Sequence, residues 1–333
     1  MNKPSLLLGI TLWVSGCIII PVGGGSLGRG DVAFTWAFDG GGSCADNRTD
    51  LIRYTLRRSD GQTVGPNDVD CDVPGVRHED LVEGEWTITL QGLRQVDASN
   101  AVLVHEGEFG FSVTDGALND LGVLVLAAAP PASLNVDWTF QTVNGGPTPN
   151  CEAAEVDNVR IIIEEQGGIE VFNEPIDCLS GPATIDQFRP GPYVVTLEGE
   201  GTYNGLPVTY YVSAPQQILL LSGTLGDLGA VQLDIIEDRF ADLDVGWVLN
   251  GSTCAQAGVA TVHVEIFRSG SDVAEDAFDR PCADGGALRT TFLPGDWRTV
   301  VTGAGTAGTW TGQRTQNAAP GQRATVSVTL NPP

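Results

Sequence analysis

Few side chains in this 333-residue chain have the type and spacing for covalent chemistry. Gly24-Gly25-Ser26-Leu27-Gly28 fits the pattern of a nucleophile elbow, which needs a strand before it, a helix after it, and an acid and a histidine downstream. The stretch around it, Pro21 to Gly30, is glycine-rich and without periodicity, so it reads as a tether. Gly23 to Gly28 and Gly303 to Gly308 both fit GxGxxG, yet neither opens a helix whose amino terminus would hold a pyrophosphate. The three histidines, His78, His105 and His263, are scattered, with no carboxylate or cysteine at metal-ligand spacing. Asp68, Asp70 and Asp72, followed by Glu79, Asp80, Glu83 and Glu85, offer the oxygen ligands that calcium prefers. They lack the glycine and terminal glutamate of a calcium-binding helix-loop-helix, so a solvated strand face competes with a calcium site there. Trp310 is a second ligand candidate, because an exposed aromatic stacks on a sugar ring, whereas a buried one only packs. No catalytic set and no cofactor are expected.

Cysteine chemistry is better defined. Cys44 and Cys71 lie 27 apart, Cys151 and Cys178 also 27, and Cys254 and Cys282 28, with Trp86, Tyr193 and Trp297 each following the second cysteine by 15. A fixed spacing that recurs three times marks internal repeats. Six cysteines allow 15 connectivities, but the repetition favours pairing within each copy, Cys44 with Cys71, Cys151 with Cys178 and Cys254 with Cys282. The seventh, Cys17, stands apart.

Cys17 ends a leader with Lys3 as its positive region, an apolar run from Leu6 to Val14, and the small residues Ser15 and Gly16. Val14-Ser15-Gly16-Cys17 resembles the lipobox of bacterial lipoproteins. That resemblance implies diacylglycerol on the Cys17 thiol, cleavage before it, and acylation (palmitate or a similar chain) of the new amino terminus. Each buried methylene contributes about 0.8 kcal/mol to membrane anchoring, and several chains make release slow. In such families an aspartate after the cysteine retains the protein at the inner membrane. Ile18 stands here, so the outer membrane is expected.

The elements behind the cysteine frame are strands. Val32, Phe34, Trp36 and Phe38 alternate with small or polar residues, as do Leu134, Val136, Trp138 and Phe140, and Leu243, Val245, Trp247 and Leu249. A second strand recurs with Ile52, Tyr54 and Leu56, then Val159, Ile161 and Ile163, then Val262, Val264 and Ile266. His263 takes the outward position that Arg53 and Arg160 hold, so a solvated imidazole is expected. Past the second cysteine, Leu81 to Trp86, Phe188 to Tyr193 and Phe292 to Trp297 each carry glycine two before the aromatic, a tight-turn signal. No segment has a helical period of useful length. Many short strands with turn residues between them imply an all-β chain of three tandem antiparallel β-sandwiches.

The expected division is a signal peptide over residues 1–16, lipidated Cys17 and a tether over 17–30, and sandwich repeats over 31–128, 134–236 and 241–331. Pro294-Gly295-Asp296-Trp297 and Pro190-Gly191-Pro192-Tyr193 resemble the turn and strand of transthyretin-like or carboxypeptidase-regulatory-like sandwiches, with Glu83 departing from the pattern in the first copy. In Ig-like domains the buried tryptophan falls between the cysteines; here it precedes both.

Charge narrows the partners. The net charge is -25, Lys3 is the only lysine, and no arginine cluster is longer than Arg57-Arg58, so nucleic acid is excluded as a polyanion without a basic face to bind it. The expectation is a cell-envelope lipoprotein held to the membrane by its lipid, with a non-enzymatic structural or interaction role toward an envelope protein or glycan. A ligand-binding module for glycan or calcium is the alternative. Specificity is expected where the copies differ, in Asp68 to Glu85, the loop Thr142 to Asn150, and Trp310.

Overall fold

The computed structural model describes residues 28–141 and 149–333. The leader, Cys17, most of the tether and residues 142–148 of the second repeat's long loop lie outside the described residues.

The described chain is almost wholly strand. The first repeat holds β1 (Arg29–Phe38), β2 (Leu51–Arg58), β3 (Thr63–Asp70), β4 (Val76–Val82), β5 (Gly84–Gln95), β6 (Ala101–Val113) and β7 (Leu118–Ala128). The second holds β8 (Ala132–Phe140), β9 (Asn158–Glu165), β10 (Ile169–Asp177), β11 (Ala183–Phe188), β12 (Gly191–Tyr203), β13 (Leu206–Ser213), β14 (Gln216–Leu220) and β15 (Leu225–Ile235). The third holds β16 (Ala241–Leu249), β17 (Thr261–Arg268), β18 (Ala274–Pro281), β19 (Gly286–Phe292), β20 (Gly295–Gly305), β21 (Gly308–Ala318) and β22 (Arg323–Leu330). The α-helix among the described residues, α1 (Cys254–Ala257), is a single turn closed by a Thr253–Gln256 capping box.

The third repeat shows the plan most plainly, as a three-stranded sheet β19-β16-β22 facing a four-stranded sheet β18-β17-β20-β21. The first repeat has the same two sheets, joined where β6 meets β7 at His105 opposite Ala128 and Glu106 opposite Ala127. In the second, the strand equivalent to β6 is broken into β13 and β14 at Ala214-Pro215, where proline lacks the N–H that a ladder needs. The sheets are not antiparallel throughout. In every repeat the first and last strands pair in parallel, β1 with β7, β8 with β15 and β16 with β22. Parallel pairing follows because the chain enters and leaves each sandwich in the same direction, through adjacent strands of one sheet. β1 also begins at Arg29, inside the stretch read as tether, because Asp115 accepts from the Arg29 N–H at 2.9 Å and Asp80 from its guanidinium at 2.5 Å.

Each repeat encloses its own core. Ile52 and Leu56, Val159, Ile161 and Ile163, and Val262, Val264 and Ile266 have no exposed surface. Ile88 and Val195 occupy the same buried position in their strands, and the third repeat has Thr299 there, fully buried with its hydroxyl unpartnered among the described residues. A buried hydroxyl without a partner costs about 1–3 kcal/mol. Thr299→Val, which restores the residue type of Val195, is therefore expected to raise the unfolding free energy of the third repeat by about 1 kcal/mol in denaturant melts. An unchanged or lowered midpoint would show that the hydroxyl is satisfied.

Candidate functional site

Three disulfides join Cys44 to Cys71, Cys151 to Cys178 and Cys254 to Cys282, each with 5.9 Å between Cα atoms. The other sequence candidates are dispersed. Asp68 is held by Arg53 in a two-point ion pair at 2.7 and 2.9 Å, and Asp70 accepts the N–H of Asp72 at 3.0 Å. Among the described residues no three His, Cys, Asp or Glu side chains converge on a metal-sized space. Arg53 thus engages the Asp68 carboxylate and a turn one oxygen of Asp70, and the structure does not bring Asp68, Asp70 and Asp72 together around one point. His263 lies outside as expected, 2.8 Å from Asp279.

Trp310 is likewise no sugar platform. It is 6% exposed and packed in the third core, with its Nε1 enclosed and unpartnered among the described residues. Nor is it unmatched. Gly303 faces Trp310 across β20 and β21, Gly199 faces Tyr211 across β12 and β13, and Gly92 faces His105 across β5 and β6. A Cβ at Gly92 would lie 3.0 Å from the Cβ of His105, and one at Gly199 3.1 Å from that of Tyr211, so glycine makes room for the ring opposite. The hairpins between these partners differ in length, which hides the correspondence in the linear sequence. In the first repeat the ring is polar. Burial, then the charge of Arg189, pushes the His105 imidazole below its ordinary pKa. Its Nδ1 lies 3.3 Å from the Thr49 hydroxyl, and Phe38 packs on it at 4.7 Å between ring centroids.

The contacts between repeats form the most specific arrangement in the molecule. Four residues past the first cysteine stand Arg48, Glu155 and Gly258, all in the left-handed region with φ of 52°, 50° and 68°. Fourteen past it, at the far end of the next strand, stand Arg58, Glu165 and Arg268. Arg48 of the first repeat pairs with Glu165 of the second, and Glu155 of the second pairs with Arg268 of the third at 2.5 Å. Both junctions use the same two positions with the charges exchanged. Arg268 also donates to the carbonyls of Leu293 and Pro294 at 3.0 and 2.9 Å and lies over the Trp297 ring at 4.9 Å. Burial pushes the Glu155 carboxyl above its ordinary pKa, against the pull of Arg268. Tyr203 donates to Asn317 at 2.9 Å across the second junction, and Phe240 of the connecting segment packs edge-on against Tyr211 at 5.7 Å.

The aromatic after each tight turn closes the pole that receives the preceding repeat. Trp86 Nε1 donates to the Val82 carbonyl at 2.9 Å, Tyr193 Oη to Arg189 at 2.6 Å and Trp297 Nε1 to Leu293 at 3.0 Å. All three bonds reach four residues back, so tyrosine replaces tryptophan without altering the turn. Burial pushes the Tyr193 hydroxyl up to about 12, so it stays a donor at any ordinary pH.

Two expectations follow from these contacts. The folded pKa of His105 lies below its ordinary value of 6.5, so below that pH the unfolded chain takes up a proton that the folded repeat resists. Stability of the first repeat should therefore fall as pH drops from 7 to 5, and His105→Gln should flatten that slope in melts at each pH. A half-buried pair such as Glu155 with Arg268 couples by about 1 kcal/mol. A double-mutant cycle of Glu155→Gln and Arg268→Gln should return that coupling in second-repeat and third-repeat stability, whereas additive effects would mean the junction is held by its apolar contacts alone.

No protein-family model matches the chain, and no curated protein matches it. Among solved structures it is similar to the Bacillus anthracis TIE protein, with 13% identity and a TM-score of 0.48 over 91% of this chain and 51% of that one. It is also similar to BcpA, the major pilin subunit of Bacillus cereus, with 10% identity and a TM-score of 0.34 over 92% of this chain and 100% of that one. A third is the pilus adhesin SpaC from Lactobacillus rhamnosus GG, with 10% identity and a TM-score of 0.29 over 91% and 43%. This chain spans about half the length of the first of these. At such identities and TM-scores, none of their roles transfers to it.

Proposed function

We propose that this chain is a lipid-anchored, non-enzymatic spacer of the cell envelope, carrying three sandwiches in series away from the membrane. The observation that supports it best is the repeated junction: position four of one copy meets position fourteen of the next, twice, with opposite charges. Those positions lie at opposite ends of the second strand of each repeat, so repeating the contact stacks sandwiches pole to pole. A head-to-tail contact of this kind joins successive copies through two different poles of the sandwich. The anchor rests on the lipobox resemblance at Cys17, and the outer membrane on Ile18 after it. No helix among the described residues is long and apolar enough to cross a membrane. The three enclosed repeat cores favour a structural role, with Trp310 and His105 buried among them and Asp68 held in an ion pair.

Two measurements test this reading. Mass spectrometry of the mature protein should find Cys17 as the amino-terminal residue carrying diacylglycerol and an amide-linked acyl chain, and Cys17→Ala should release the protein from the membrane fraction. Small-angle scattering should give a radius of gyration clearly above the ~20 Å of a single compact domain of this length. A value near that figure would sink the serial arrangement, and an intact leader on an unmodified Cys17 would sink the anchor.

A further inference from the structure

The first junction carries chemistry that the second manages without. Between repeats 1 and 2 lies a cleft of about 300 Å³, whose lining includes Asp39, Arg48, His105, Gln187, Phe188 and Arg189. That volume is at the lower end of the range for small-molecule sites. His105 is 8% exposed; its Nδ1 is taken by Thr49, while the other ring nitrogen has no hydrogen bond among the described residues. Arg189 is exposed at the mouth and has no ion pair among the described residues, and its charge reaches both His105 and the Tyr193 hydroxyl. Arg48 and Arg94 bear on the same hydroxyl, and Arg48 is the guanidinium that pairs with Glu165. With Arg48 paired to Glu165, Arg189 is the guanidinium of the lining left without an ion pair among the described residues, beside the carboxylate of Asp39.

The second junction serves as an internal control, because equivalent positions can be read across it. Where the first has Arg48, His105, Arg94 and Arg189, the second has Glu155, Tyr211, Gly201 and Leu293. Leu293 packs against the cores of both the second and third repeats and so plugs the space that the cleft occupies at the first junction. Joining two sandwiches therefore requires neither the extra arginines nor the imidazole. Replacing an apolar plug with an exposed cation leaves the cleft open with an unpaired guanidinium at its wall.

We propose that the cleft between repeats 1 and 2 binds a monosaccharide-sized carboxylate, its oxyanion held by the Arg189 guanidinium and one of its hydroxyl groups donating to the free ring nitrogen of His105. Arg189 supplies a two-point donor matched to a carboxylate. The Thr49 hydroxyl donates to the Asn47 carbonyl at 3.2 Å and so accepts from His105 Nδ1, which leaves the other ring nitrogen of the neutral imidazole as an acceptor for a ligand hydroxyl. Asp39 and Gln187 at the wall suit hydroxyl groups, and the Phe188 side offers an apolar surface. Neither lipid anchoring nor serial stacking beyond this junction is needed for the site.

The probes are glucuronate, succinate and glucose, titrated calorimetrically into the full chain at low ionic strength. Glucuronate should give saturable heat and glucose none. Saturable binding of succinate as well would identify the carboxylate alone as the recognised group, and its absence would add the sugar ring; both outcomes support the site. Arg189→Leu installs the residue type that the third repeat carries at this position, so folding should be retained, and binding of glucuronate should weaken about tenfold or more, as expected for loss of a charge-assisted pair. His105→Gln should weaken it too, with the thermal transition of the first repeat intact at pH 7. No binding of either carboxylate, or binding that Arg189→Leu leaves unchanged while its melting profile shows a folded protein, would overturn the proposal.

Discussion

The rest of the structure depends on one pinned turn, repeated three times. After the first strand of each repeat the chain makes a short helical turn at the first cysteine, and the N–H five residues on returns to that cysteine's carbonyl: Thr49 to Cys44, Val156 to Cys151, Val259 to Cys254. The N–H of the second cysteine then donates to the carbonyl at the start of the next strand, Cys71 to Asp50, Cys178 to Asp157 and Cys282 to Ala260. The disulfide closes the same loop covalently, and constraining a loop of 27 or 28 residues lowers the entropy of the unfolded chain by about 3–4 kcal/mol at room temperature in the loop-closure description. A sandwich of about 100 residues has a modest core, so such a staple is a large share of its net stability. The turn also forces the fourth residue into the left-handed region, a conformation that non-glycine residues adopt at a cost. Arg48 and Glu155 accept that strain where Gly258 does not have to, and they are the two residues that reach the following repeat.

The opposite pole is built to receive that side chain. A glycine with strongly positive φ, Gly84, Gly191 or Gly295, precedes the turn aromatic by two residues, and in every copy a guanidinium covers it. In the first and third repeats the cover comes from the repeat itself, Arg58 and Arg268, whereas in the second it is Arg94 of the preceding repeat. The exchange follows from charge. Glu165 replaces arginine at position fourteen of the second repeat, so the guanidinium over Gly191 has to come from the neighbour, as does the one that neutralises Glu165. The two remaining positions of the set differ: Arg58 pairs with Asp60 of its own repeat, and Gly258 presents no side chain.

Legibility in the sequence tracked how local each constraint is. Strand parity was readable because alternate residues face one core, and positions such as Val159, Ile161 and Ile163 are buried without exception. Disulfide pairing was readable because three copies repeat one spacing. The parallel pairing of β1 with β7 left no mark on composition, since it depends on where the chain leaves the sandwich. The match among His105, Tyr211 and Trp310 was hidden by hairpins of unequal length, although the facing glycines, Gly92, Gly199 and Gly303, stand in register with the cysteines. The junction pairs were hidden for another reason. A comparison of copies looks for the same residue at the same position, and here the requirement is that the fourth position of one copy carry a charge opposite to the fourteenth of the next. Arginine at one copy's fourth position and glutamate at the next therefore look like divergence, when together they satisfy a single rule.

That rule separates what the fold needs from what it permits. A junction needs one carboxylate and one guanidinium at fixed poles, a connecting segment seated between cores, and a filled or tolerated gap beside them. The second junction meets these needs with Leu293 in the gap and Phe240 against Tyr211. The first meets them with Arg48 and Glu165 and then adds Arg94, Arg189 and a buried imidazole. Burying an imidazole where a phenol or an indole serves the other two repeats lowers stability on the acidic side of neutrality, and leaving an arginine at the mouth of an open cleft forgoes the burial that leucine obtains. These two departures from the stabler alternative lie at one junction and put a guanidinium and an imidazole nitrogen into the same cleft, the two groups that the proposed carboxylate site uses and that stacking at the second junction does without.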